Sequence, residues 1–422
     1  MYKMRITFHG GTREVGGSCV TVETEYAKVA LDYGIRVGEK VSNNLPNDVD
    51  AIVVSHAHLD HSGSLLNVAR TKTIVIGSDA TRDVTADLLQ DLINIQRKNG
   101  KKGSYGKEDV ANIKRSWRVR NSVALPDMEI RLYSAGHVLG ARMIGIQAEG
   151  KKVLYTGDFC LHDTEILQGT DLKSLPEEPD VLILESTYGG VTRLDRSVLI
   201  ERLFDKIIGA IKRKGNVLIP VFAFHRSQET AKRIDQAMIE DRLPSYNVYM
   251  ISPLARKITQ HFNSHKASLS PGIRYQKKPF AYRHVKHLRK VRDIKEPAIV
   301  ICTSGFGHAG ASRRLLADWA PDEDNTVIIN SGYTPPESPL KIAKEKGVLV
   351  ENGNKILVKA QVEQIELSGH ADQTELVRLV ESLKPKRTLL MHGDFEQAQA
   401  LSKKICHITC VEIPEKGETI VL

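Results

Sequence analysis

The sequence predicts an α/β protein, on three observations. Short β-rich runs that end in polar turns recur along the 422 residues. Four-residue apolar repeats with recognisable helix caps lie between them. Apolar residues make up 41% and charged residues 26%, enough to build a core and too apolar for global disorder.

Taken in order, residues 28–32 (KVALD), 51–55 (AIVVS), 153–158 (VLYTGD) and 181–185 (VLILE) read as strands. Leu199, Leu203, Ile207 and Ile211 then repeat at helical spacing, with Asp195 as N-cap and Gly215 closing the end. Residues 216–224 (NVLIPVFAF) read as a buried strand, followed by a helix over 227–241. Val285, Leu288 and Val291 fit a helix whose intervening cations face outward. Strands are expected at 298–303 and 326–330, and a basic helix near Ser312. Residues 408–422 carry a β-like run suited to an edge strand or an interface.

No apolar run approaches the roughly 20 residues that span a bilayer, so no membrane role is expected. Met1-Tyr2-Lys3-Met4-Arg5 runs straight into a strand-like stretch, giving the expectation of no secretory leader. Five cysteines without a CxxC pair point away from a disulfide framework and toward a reducing cytoplasm. The net charge of +9 is unevenly placed: residues 189–366 carry +12, against −2 before them and −1 after them. Between Arg256 and Arg292 there are eleven Lys/Arg and no Asp or Glu, which points to a polyanionic partner.

The sharpest local feature is His56-Ala57-His58-Leu59-Asp60-His61, directly after an apolar run. Four potential ligands in six residues, mixing imidazole and carboxylate, suit Zn²⁺. His56 and His58 can face one ion while Asp60 and His61 face a second. Asp158, after Gly157 at a strand end, and His137, in the small-residue turn Ser134-Ala135-Gly136-His137, have the same setting.

With Asp32 before it and these two residues after it, the cluster resembles the metallo-β-lactamase superfamily. Further downstream, Glu185-Ser186-Thr187-Tyr188-Gly189, Ser368-Gly369-His370-Ala371-Asp372 and Met391-His392-Gly393-Asp394 resemble motifs A, B and C of the β-CASP nucleases. Gly10–Gly16 (GGTREVG), 217–229 (VLIPVFAFHRSQE) and Ser252-Pro253-Leu254-Ala255 fit the same group. The resemblance is to archaeal proteins like the cleavage and polyadenylation specificity factor endonuclease, with the RNase J type as cousins. It implies an αββα sandwich formed by residues 1–188 and 367–422, with an α/β β-CASP domain inserted at 189–366.

The resemblance further implies two zinc ions per chain. His56, His58 and His137 would hold one, Asp60, His61 and His392 the other, and Asp158 both. Asp32 would orient the loop that carries the cluster. Catalysis would rest on Asp60, Asp158, Glu185 and His370, with His370 as general acid oriented by Glu185. The implied activity is hydrolysis of RNA phosphodiesters, as a 5′→3′ exoribonuclease, an endoribonuclease or both. The competing readings are a catalytically weak RNA-binding subunit and a small-ester hydrolase of the same fold.

RNA, single-stranded by preference, is the expected partner, and a homodimer built from these domains is allowed for. Arg226, Arg256, Lys277 and Lys278 are candidate RNA contacts, as are Ser304 and Gly305 in a Gly-rich turn, and Ser368. That turn reads equally well as a plain strand-to-helix connection. Phe262, Tyr275, Phe280 and Tyr282, interleaved with the cations, serve as stacking platforms or as core. The chain departs from the RNase J type at Glu366, where that type has a histidine, and carries His225 where many relatives have glycine.

Overall fold

The computed structural model describes residues 3–36, 45, 48–100 and 104–422; Met1 and Tyr2 of the N-terminal reading lie outside these. The chain divides into two compact units: Met1–Thr192 with Ala267–Ser270 and Gly369–Leu422, and Arg193–Lys266 with Pro271–Ser368.

The first unit is an αββα sandwich. One seven-stranded sheet runs Thr419–Val421, Arg5–Gly10, Cys19–Glu23, Lys28–Leu31, Ala51–Val53, Ile74–Ile76, Trp117–Arg118. The other runs Cys410–Glu412, Arg387–Met391, Val181–Glu185, Lys151–Tyr155, Arg142–Ala148, Met128–Ser134, Ser122–Leu125. Alternate side chains of the two sheets, among them Ile6, Val22, Val53, Ile144, Tyr155, Ile183 and Leu389, meet in one core. The opposite face of the first sheet packs on Leu89 and Ile93 of the helix Asp79–Lys98 and on Val110 and Ile113 of Lys107–Ser116. The helices Gln373–Leu383 and Phe395–Ile405 bury Leu376, Leu379, Leu401 and Ile405. The C-terminal β-like run forms two edge strands, one on each sheet.

The second unit holds a six-stranded sheet, ordered Val285–His287, Asn247–Ile251, Ala298–Cys302, Val217–Pro220, Thr326–Ile329, Gln361–Gln364, with every pairing parallel. Asp195 caps Arg196–Lys212 as expected, its carboxylate accepting from Ser197 N–H. Two expectations are corrected. The strand at 216–224 stops at Pro220, and the chain then turns into the helix Arg226–Ile239. The helix expected through Val285, Leu288 and Val291 is an edge strand, Val285–His287, followed by a 3₁₀ turn, Val291–Asp293. Its apolar spacing was too short to distinguish the two, and pairing of Val285 with Val248 decided it. The cations Lys286, Arg289 and Lys290 are exposed all the same.

Within this unit Glu229, 1% exposed, is met by Arg196, Arg226 and Arg233. Burial alone raises a carboxyl pKa, but the three guanidiniums outweigh it and hold Glu229 far below the usual range. Its stabilising effect is therefore complete above the unfolded carboxylate's pKa, and is lost as the pH falls toward the depressed folded value. At neutral pH Glu229→Gln leaves the guanidiniums crowded and under-compensated. It is expected to cost about 3 kcal/mol, read as a lowered midpoint in chemical denaturation followed by circular dichroism.

Candidate metal centre

The strand Ala51–Val53 ends at the mouth of the sandwich, and the next eight residues place His56 and His58 in a turn and Asp60 and His61 on a short helix, Leu59–Ser62. Asp158 follows the strand Lys151–Tyr155 after Gly157, which sits at φ +50°. A Cβ on Gly157 would stand 2.7 Å from the Ser55 Cβ, so glycine is needed for the two loops to approach this closely. His392 follows the strand Arg387–Met391, and His137 lies in the turn before Arg142–Ala148.

These loops bring all seven expected metal ligands together. His56, His58, His137 and Asp158 form one group and Asp60, His61 and His392 another. Asp158 joins them: its Oδ2 lies 3.4 Å from His56 Nε2, 3.3 Å from His61 Nε2 and 3.7 Å from His137 Nε2, and its Oδ1 lies 3.3 Å from His392 Nδ1. His392 Nε2 is 3.5 Å from Asp60 Oδ2.

Hydrogen bonds on the far sides of the rings fix which nitrogens face inward. His61 Nδ1 donates to Asp32 Oδ2 at 2.7 Å, and His137 Nδ1 donates to the Gly369 carbonyl at 2.8 Å. The Ser55 hydroxyl donates to Asp32 Oδ2, so it accepts from His56 Nδ1 at 3.0 Å. The Nε2 atoms of His56, His61 and His137 are thereby turned into the centre. There His56 Nε2 and His137 Nε2 both face His58 Nδ1, at 3.1 and 3.3 Å.

The donor set fits divalent metal. Converging nitrogen lone pairs repel unless a cation lies among them, and Asp158 Oδ1 is buried without a hydrogen-bond donor. Burial, reinforced by neighbouring histidines, holds the pKa of His56 and His137 well below the ordinary histidine value. Burial likewise brings His58 down to about 4, against the pull of Asp60 and Asp158. These three rings are therefore neutral at pH 7, the form that binds metal.

Asp32 is fully buried and accepts from Ser55 N–H (2.6 Å), the Ser55 hydroxyl (2.7 Å), the Tyr155 hydroxyl (2.7 Å) and His61. It and His392 are non-glycine residues at positive φ, 60° and 48°, a strain held by the surrounding bonds. Glu185 uses both oxygens: Oε1 accepts from Phe159 N–H at 2.9 Å and Oε2 pairs with His370 Nδ1 at 2.9 Å. His370 is a fifth exposed, while Glu185 is buried.

Some positioning residues escaped the sequence reading. Tyr155 and Ser55 brace Asp32, and the Thr187 hydroxyl bonds the His392 carbonyl at 2.9 Å. Glu375, in the capping box that starts Gln373–Leu383, also accepts from Leu161 N–H (3.1 Å) and His162 Nδ1 (3.0 Å). It ties the chain after Asp158 to the chain after His370. Its only sequence signal was the D-x-x-E spacing from Asp372.

In the second unit the candidate contacts fare unevenly. Arg256, Lys277 and Lys278 are exposed. Arg226 is mostly buried, bound to Glu229 and to the Leu367 carbonyl, so its charge is spent on the fold. Ser368 is buried. Ser304 N–H and Gly307 N–H bond the carbonyls of Ala309 and Ser304 within their own turn, which leaves those two amides no share in a phosphate cradle. Phe262 and Phe280 are core, Tyr282 is largely enclosed, and Tyr275 alone of the four is well exposed, at 85%. His225 is buried and packs near Phe224 and Phe262.

Comparison with known proteins agrees with this architecture. Residues 22–191 match the metallo-β-lactamase superfamily, 227–339 the Beta-Casp domain, and 355–412 the Zn-dependent metallo-hydrolase RNA specificity domain. The probable RNase MJ4 of Methanocaldococcus jannaschii is 30% identical, over 94% of this chain and 95% of its own. RNase aCSPSF2 of Saccharolobus solfataricus is 29% identical, over 98% of this chain and 84% of its own. Endoribonuclease YSH1 of Mycosarcoma maydis is 30% identical over 93% of this chain, which spans about half (47%) of that longer protein. A crystal structure of a protein of unknown function from Enterococcus faecalis V583 shares the fold, with TM-score 0.61, 15% identity and 100% of both chains covered.

Because Asp32 fixes His61 directly and His56 through Ser55, Asp32→Asn is expected to weaken metal binding about 10- to 100-fold without removing a ligand. Competition with a chromogenic chelator measures this.

Proposed function

The chain belongs to the β-CASP family of metallo-β-lactamase-fold ribonucleases, and from that premise we propose that it is a two-zinc ribonuclease that cuts single-stranded RNA internally. The carrying observation is the position of the Asp158 carboxylate, within reach of His56 and His137 of one ligand group and of His61 and His392 of the other. Internal cleavage is supported by the endoribonuclease name of the fungal relative.

His56, His58 and His137 would hold one ion, Asp60, His61 and His392 the second, and Asp158 would touch both. Bound there, the ions supply Lewis-acid activation of water near neutral pH and neutralise charge developing on the phosphate. The protein's own part is to hold the ligands and to manage the proton. Asp32, Ser55 and Gly369 keep the inward-facing nitrogens aimed.

Burial disfavours protonation of His370, but the Glu185 and Asp158 carboxylates outweigh it and hold its pKa above the ordinary histidine value. With Nδ1 donating to Glu185, the other ring nitrogen carries the proton for the departing ribose oxygen. In the second unit the exposed Arg256, Lys277 and Lys278 offer charge to the RNA backbone.

Asp60→Ala is expected to lose bound metal and RNA cleavage together, whereas His370→Ala keeps its metal and slows cleavage by about 10²- to 10⁴-fold. Metal analysis beside cleavage assays checks both; normal cleavage by His370→Ala contradicts its role as acid. RNAs labelled at the 5′ or 3′ end test the mode of action. Discrete internal fragments are expected, and mononucleotides released first from the 5′ end would replace the internal mode with an exonucleolytic one.

A further inference from the structure

The cations were the feature of the second unit most visible in the sequence, but another group of residues there has the build of a ligand site. Three adjacent parallel strands, Ala298–Cys302, Val217–Pro220 and Thr326–Ile329, end at the same edge of the sheet. The loops that leave them carry Phe306 and His308, Phe222, and Tyr333, respectively. The carboxyl edge of a parallel sheet is where α/β folds place ligands, because loops from neighbouring strands converge there.

The aromatic rings gather at that edge. Phe222 and Phe306 pack edge to face, with centroids 5.0 Å apart and planes at 86°. Phe306 also lies 6.5 Å from Tyr333 and 6.4 Å from His308. Unlike Phe224, which is buried, Phe222 keeps 41% of its surface exposed. An edge-to-face pair leaves most ring faces uncovered by the partner ring.

The loops that carry the cluster are braced by hydrogen bonds. The carbonyl of each main aromatic accepts a serine hydroxyl: Ser227 to Phe222 (2.7 Å), Ser338 to Phe306 (2.8 Å) and Ser331 to Tyr333 (2.9 Å). Gly305 presses against Phe222, so that a Cβ there would stand 3.1 Å from both the Phe222 ring and its backbone nitrogen. Phe222 is exposed and Phe306 and Tyr333 are half-buried, and holding such rings on braced loops reduces the ordering cost of binding.

We propose that Phe222, Phe306 and Tyr333 form a stacking subsite for an unpaired nucleobase of the RNA substrate. The proposal rests on the ribonuclease reading above. The occupant is argued from charge: the cluster lies in the segment with net +12, which attracts a polyanion whose uncharged parts are planar bases. Cations bind phosphates without regard to the base, whereas the ring cluster responds to a base's presence and not to its backbone.

That difference sets the test. A single-stranded RNA cut at one site is prepared as a series, each member with one abasic nucleotide, and kcat/KM is measured for the wild-type chain and for Phe222→Ala. Wild type is expected to lose about 5- to 100-fold in kcat/KM, mainly through KM, at one or two neighbouring abasic positions. Phe222→Ala should cut intact RNA at the rate wild type cuts that abasic RNA, with little further loss on the abasic RNA, and Phe222→Tyr should restore discrimination.

Equal cleavage by wild type across the whole abasic series overturns the stacking subsite while leaving the ribonuclease reading intact, and needs no variant to fold. Undiminished discrimination by Phe222→Ala overturns it as well. Failure of wild type to cut any RNA would remove both the subsite and the reading beneath it.

Discussion

The first unit is organised around one buried carboxylate. Asp158 lies at the meeting point of nitrogens from His56, His61, His137 and His392, which come from three separate loops. A buried carboxylate in that position, with one oxygen making no hydrogen bond, is costly unless positive charge sits beside it. The surrounding bonds make sense as support for it. Asp32 is saturated by Ser55, Tyr155 and His61; Glu185 is shared between the Asp158 loop and His370; and Glu375 ties the chain after Asp158 to the chain after His370. The sandwich supplies rigid strand ends, and the loops do the aiming.

What the sequence revealed depended on how local the chemistry is. His56, His58, Asp60 and His61 were legible because four ligands fall in six residues after an apolar strand. His137, Asp158 and His392 are isolated in the chain, and the resemblance to a family was needed to assign them. The bracing residues were not legible. Tyr155 reads as a core strand position, and its hydroxyl finds Asp32 across 123 residues of sequence. No local pattern announces that pairing, although a buried tyrosine hydroxyl implies some partner.

The second unit separates two meanings of an aromatic residue among cations. Phe262 and Phe280 stand in the basic stretch and invited a stacking reading, yet they are core. Phe222 stands in a run that read as buried strand, and it is exposed because Pro220 ends that strand before it. The short apolar spacing at 285–291 misled for a related reason: three residues at helical intervals are too few to outweigh pairing with a neighbouring strand. Arg226 repeats the lesson for charge, since its guanidinium is committed to Glu229 and the Leu367 carbonyl.

Asp158 is proposed to be shared by two metal ions. Native mass spectrometry of the purified chain, with metal identity from elemental analysis, tests it most directly when wild type is set beside Asp158→Ala. Such sharing predicts two zinc ions per wild-type chain and loss of both in the variant. A single ion in wild type, or a folded variant that keeps two, would contradict it.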